Sequence, residues 1–175
     1  MASVFSPAGS AAAIGAVGVF FGLPNPVFHL PPLVLLYPCC LFLLAGLADS
    51  SKKACLYGFC AGLPANAAGL YWLIFPMRDV AGIPFVLAAP TALLLHAYLA
   101  LFAALFVLAA YRLQRFFRTF GGLTALLAPP LLAGLLFGGC EVLRGTLFTG
   151  FPWLLASCAF AFWPAWIQAA SLVGA

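Results

Sequence analysis

The chain has 175 residues, 66% hydrophobic and only 6% charged, with a mean hydropathy of +1.19. A soluble domain carries about 25% charged residues, so this composition excludes a water-facing globular surface and predicts an integral membrane protein. The net charge of +4 comes mostly from two small clusters, and without a wet basic surface it excludes nucleic-acid binding and speaks instead to membrane orientation.

Crossing a ~30 Å hydrocarbon core takes about 20 apolar residues in a helix. Charges and Pro/Gly clusters mark the breaks. The apolar run from Ala11 to Leu23 has no Lys or Arg before it and leads into more membrane sequence. It therefore reads as a transmembrane helix rather than a cleaved signal. The first span is placed at Ala8 to Leu23, with Gly9, Gly15, Gly18 and Gly22 suited to close packing. A proline-rich turn, Leu23 to Pro32, holds His29, read as an interfacial polar group. The second span is placed at Leu33 to Ala48, before the polar loop Asp49-Ser-Ser-Lys-Lys53.

The third span is placed at Ala54 to Phe75. Pro64 frees a carbonyl that a neighbouring helix or Asn66 could satisfy. Asn66 reads as interhelical glue more readily than as a ligand site. A loop from Met77 to Pro84 carries Arg78 and Asp79. The fourth span begins between Phe85 and Thr91 and ends at Tyr111, with His96 and Tyr98 near mid-membrane. An intramembrane ionisable group is a functional candidate by default, although a neutral histidine facing another helix fits as well. Arg112, Arg115 and Arg118 are assigned to the following loop. The fifth span, Gly122 to Val142, contains Pro129-Pro130, which allow a kink. After Trp153, the run through Trp166 leads to Ile167–Ala175, read as the start of a truncated sixth span. The predicted fold class is all-α: a polytopic transmembrane bundle of about five full spans, with residues 1–175 forming one membrane domain.

Lys52, Lys53, Arg112, Arg115 and Arg118 fall in one set of loops, and only Arg78 and Arg144 in the alternate set. The richer loops are assigned to the cytoplasm. The N-terminus is then cytoplasmic, and Arg78, Asp79, Glu141, Arg144 and Trp153 can gather at one external surface. The stretch Glu141-Val-Leu-Arg-Gly-Thr-Leu-Phe-Thr-Gly-Phe-Pro-Trp153 holds the single glutamate of the sequence. Residues three apart share a helix face, so Glu141 and Arg144 can pair. Gly150 and Pro152 are expected to stop the helix. Trp72, Trp153, Trp163 and Trp166 read as interfacial anchors before substrate platforms.

The six cysteines show no metal-ligand spacing with histidine and read as small buried hydrophobes. No phosphate loop, nucleophile elbow or His/Asp/Glu cluster is legible. No metal, no cofactor and no catalytic residue is therefore assigned.

The motif Glu141-x-x-Arg-Gly-x-x-x-Thr-Gly-Phe-Pro-Trp153 closely resembles the signature in the membrane part of apolipoprotein N-acyltransferases. Tyr57-Gly-Phe-Cys-Ala-Gly62 and Ala68-Gly-Leu-Tyr-Trp72 look like that family's third span, and Ala97-Tyr-Leu-Ala-Leu-Phe102 like its fourth. The resemblance runs from about Phe20 to Gly174. It implies a bacterial inner-membrane enzyme that moves an acyl chain from a phospholipid donor to the N-terminal cysteine of a lipoprotein acceptor. It also implies a Glu/Lys/Cys set on an external nitrilase-like domain that follows the spans. No cysteine here matches that nucleophile. Pro64 and Asn66 stand where glycine and an apolar residue are expected, and His96 where a small or apolar one is.

Two roles for the charged pair stay open. It can fix helix depth and satisfy itself, or it can help shape the lipid or lipoprotein access face. Arginine's planar fork suits a phosphate, so Arg144, together with Arg78, is a candidate for donor headgroups. At the level of the chain the readings are a truncated N-terminal fragment of an N-acyltransferase, its membrane region, inactive alone; a stand-alone membrane subunit recruiting a separate catalytic chain; and a small transporter. A transporter should show paired half-helices or a polar midplane site, of which only Asn66 and His96 are hints.

Overall fold

The computed structural model describes residues 6–148, 150–163, 165 and 168. All regular structure among them is helical: α1 (Pro7–Gly22), α2 (Leu36–Leu47), α3 (Ser51–Gly69), α4 (Phe85–Phe117) and α5 (Gly122–Thr146), with short 3-10 turns at Pro31–Leu35, Tyr71–Leu73 and Ala156–Phe160. Ser6 caps α1 through its Oγ, which accepts the Gly9 amide at 3.1 Å, and Ser50 does the same for α3 at Lys53. The expected sixth span lies outside the described residues, except for Gln168.

α4 and α5 are long and apolar enough to cross a membrane, and α3 with Tyr71–Val80 forms a third candidate bent by 59°. The helices Pro7–Gly22 and Pro31–Leu47 are apolar but shorter. The third span is thus not one rod from Ala54 to Phe75. It breaks at Gly69, continues as one 3-10 turn, and ends in a π turn at Pro76–Val80. α4 runs on past Tyr111, carrying Arg112 and Arg115 on its last turns rather than in a loop. No Gly or Pro occurs between Tyr111 and Gly121, and basic side chains near a C-terminus complement the helix dipole. α5 ends at Thr146, ahead of the glycine and proline expected to stop it.

α3 packs along α4 by way of Gly58 and Gly62. A Cβ at Gly58 would lie 2.6 Å from Ala103 O, and one at Gly62 would lie 2.9 Å from Ala100 Cα. Backbones meet here without intervening side chains, the small-residue contact that drives helix association where lipid removes the hydrophobic gain. Around this seam Leu41, Leu44, Leu99, Phe106 and Val107 are fully buried. α1 is seated the same way: a Cβ on Gly22 would strike Val34 N at 2.2 Å.

The basic residues collect at one end. Arg112 donates to Ser51 Oγ through Nε at 3.2 Å and Nη2 at 3.0 Å, and Tyr111 Oη donates to Asp49 O at 3.2 Å. Arg115 Nη1 donates to Tyr111 Oη at 2.9 Å, and Gln114 ties α4 to Phe42 O at 2.9 Å. Lys53 hydrogen-bonds the Asp49 carboxylate and, with its charge, holds that carboxyl below the usual range. At the other end Asn25 knits the proline-rich turn. Its Nδ2 is within 2.7–3.1 Å of the Phe20, Leu23 and Phe28 carbonyls, and its Oδ1 accepts the Val27 and Phe28 amides at 2.9 Å. His29 Nε2 donates to Gly22 O at 3.1 Å.

Overpacking the α3–α4 seam should cost about 1–3 kcal/mol or more. Gly62→Leu is expected to lower the thermal midpoint in detergent by circular dichroism, whereas Gly134→Ala, with open space around its Cβ, should leave it unchanged or slightly raised.

Candidate functional site

Glu141 and Arg144 lie on the last turns of α5, where the sequence motif placed them, three residues apart and on one face. Arg144 Nη2 is 3.7 Å from Glu141 Oε1, too long for a hydrogen bond and short enough for an ion pair. The closer partners of both residues are backbone groups of the segment that follows. Glu141 Oε1 accepts the Ala156 amide at 2.8 Å, and Arg144 Nη2 donates to Leu154 O at 3.0 Å. Phe151 N bonds back to Arg144 O at 2.9 Å. The pair is a clasp that folds residues after α5 back over the end of the bundle.

The turn that makes this return is sterically demanding. Gly150 has φ +74°, and a Cβ there would lie 2.1 Å from Gly145 O, so no other residue fits. Phe148 and Leu154 take φ 59° and 61°, left-handed values that cost a non-glycine residue about 1 kcal/mol or more. The clasp and the packing of Leu154 against Gly69 oppose that cost. A Cβ on Gly69 would meet Leu154 Cδ2 at 2.6 Å. Pro152 thus belongs to the returning segment, not to the helix stop.

Trp153 is 49% exposed and its ring packs, tilted by 43°, at 5.2 Å from that of Trp72, which itself belongs to the broken end of α3's span. Phe151 meets the Trp153 ring at 5.4 Å. Two tryptophans from distant parts of the chain therefore form one amphipathic platform above the clasp. Arg78 is exposed on the π turn, with its guanidinium 5.9 Å from the Phe85 ring. Among the described residues no ion pair or hydrogen bond joins it to Glu141 or Arg144. The four candidate residues therefore divide: Arg144 is buried with Glu141 half-buried beside it, Trp153 lies on the surface they hold, and Arg78 stands apart. Asn66 is buried, and its Nδ2 has no partner, so it does not donate to the carbonyl that Pro64 frees. His96 Nε2 is likewise buried without a partner.

Sequence reasoning found the charged pair but missed its real partners, the amide of Ala156 and the carbonyl of Leu154. Only the spacing to the following turn could have hinted at them. Asn25 was also passed over, although an asparagine between two prolines is a strong turn signal.

The profile of the apolipoprotein N-acyltransferase N-terminal domain matches residues 17–175. The chain belongs to the apolipoprotein N-acyltransferase family. It is 38% identical to the apolipoprotein N-acyltransferase of Chromobacterium violaceum over 82% of this chain and 25% of that protein. It is 35% identical to that of Nitrosomonas europaea over 73% of this chain and 24% of the relative, and 34% identical to that of Vibrio parahaemolyticus over 79% and 26%. The chain spans about a quarter of the length of these N-acyltransferases.

Because both members of the clasp are largely desolvated, removing either leaves the other uncompensated, at about 3–5 kcal/mol. Glu141→Ala and Arg144→Ala are expected to be non-additive in denaturant unfolding, with a coupling of about 0.5–3 kcal/mol from the double-mutant cycle. Each single variant should also open residues 147–160 to limited proteolysis.

Proposed function

We propose that residues 1–175 form a membrane domain of an apolipoprotein N-acyltransferase, and that the platform above the clasp is where lipid reaches the enzyme. The observation that carries this is the conversion of the motif from Glu141 to Trp153 into a held surface. A largely buried ion pair fixes a strained return, and the return presents Trp153 beside Trp72. Tryptophan pairs suit the headgroup level of a bilayer, where one face of the ring is apolar and the edge is wet. In this reading the acyl donor is a phospholipid and the acceptor a lipoprotein bearing an N-terminal cysteine. Arg78 supplies an exposed charge for the donor's phosphate, with Glu141, Arg144 and Trp153 shaping the same access face. Glu141 and Arg144 act from beneath, by position.

The protein is placed in the bacterial inner membrane. The concentration of Lys52, Lys53, Arg112, Arg115 and Arg118 at one end of the bundle supports a cytoplasmic location for that end. α1 begins at the same end, with Ala11 packed in one cluster with Leu44 and Ala45, which supports a cytoplasmic N-terminus. The acyl-transfer chemistry itself is assigned to a nitrilase-like domain outside these residues, with residues 1–175 supplying the membrane part.

A chimera tests the proposal. Residues 1–175 replace the matching quarter of the Chromobacterium violaceum relative, and N-acylation of a diacylglyceryl lipopeptide is measured in proteoliposomes. Activity is expected in the chimera and none from residues 1–175 alone; a folded chimera without activity, or acylation by the short chain, contradicts the reading. Within the active chimera, Arg78→Ala should weaken phospholipid binding several-fold without lowering the thermal midpoint. Arg144→Ala should lower both.

A further inference from the structure

Between α1, α2, α3, α4 and α5 lies a narrow, partly open cavity of about 40 Å³. Most of its wall is apolar, but Asn66, Glu141, Arg144, Tyr37 and Cys140 also line it. Two of these side chains carry donors without partners. Asn66 is 5% exposed and Arg144 is 9% exposed, and neither Asn66 Nδ2 nor Arg144 Nε has a hydrogen bond. An unmade bond at a buried donor is costly, and two such donors in an apolar bundle are not retained without an acceptor. They cannot satisfy each other, since both donate.

We infer that this cavity is a built hydration site, holding a small water cluster that accepts from Asn66 Nδ2 and Arg144 Nε beneath the clasp. The volume decides the class of ligand. A water needs about 10–15 Å³ by this measure, so the space takes about three or four. A phospholipid headgroup, with a phosphate and its ester-linked carbons, does not fit. Water also supplies both donors and acceptors, so the cluster can return hydrogen bonds to Glu141. It thereby raises the local dielectric around a 3.7 Å ion pair in a cavity whose wall is mostly hydrocarbon. The inference is independent of the acyltransferase reading, since it concerns only what solvates the pair.

The chain has only two asparagines, Asn25 and Asn66, which makes the test direct. The protein, labelled with side-chain ¹⁵N-asparagine and reconstituted in lipid nanodiscs, gives two amide signals. Asn25→Ser and Asn66→Ser each remove one, so either variant assigns both if the other does not fold. The inference predicts strong magnetisation transfer from water to the Asn66 amide protons, comparable with that at Asn25 in its turn. Transfer to Asn66 only from protein methyl groups, from lipid acyl chains or from lipid headgroup protons overturns it.

Discussion

A carboxylate and a guanidinium inside an apolar bundle must find partners, and here they find them in backbone. Glu141 takes the Ala156 amide and Arg144 gives to the Leu154 carbonyl, at 2.8 and 3.0 Å. The segment after α5 has no long helix of its own among the described residues and would otherwise present unpaired polar groups to lipid, which is costly. One pair thus solves two problems: it neutralises itself and it satisfies a return. The left-handed residues at 148, 150 and 154 persist because this clasp over-determines them. Their reward is the position of Trp153 over Trp72.

The clasp rests on a rigid frame. Gly58 and Gly62 bring α3 within backbone contact of α4, and Gly22 brings α1 against Val34. That packing fixes Gly69 and Trp72, which receive Leu154 and Trp153. Small residues in one helix therefore position aromatic residues at the far edge. The opposite end is held differently, by arginines bonded to Ser51 and Tyr111 and by Gln114 on a carbonyl of α2. The two ends are chemically unlike, one basic and the other aromatic.

Much of this was legible in the sequence. Composition alone excluded a soluble fold, the glycines of α1 announced close packing, and the motif from Glu141 to Trp153 announced both the ion pair and the family. Helix ends were less legible. α4 absorbs Arg112 and Arg115 because arginine is a good helix former whose long stem can stay beside hydrocarbon while its charge reaches water. The third span breaks at Gly69, against which Leu154, distant in sequence, is packed, and no local pattern records that contact. The same holds for the clasp: side-chain spacing reveals a pair, but not that its better partners are main-chain groups ten to fifteen residues on. Asn66 and Arg144 could each be picked out as polar residues in an apolar context. Their shared cavity is a property of five helices together.

The central claim is that Glu141 and Arg144 hold the segment after α5 in place. Amide hydrogen exchange at Ala156, measured by NMR in nanodiscs for the native chain and for Glu141→Ala, tests it most directly. The account predicts strong protection of Ala156 in the native chain and its loss in the variant, with the amides of α3 and α4 still protected. Equal protection of Ala156 in both proteins would contradict it.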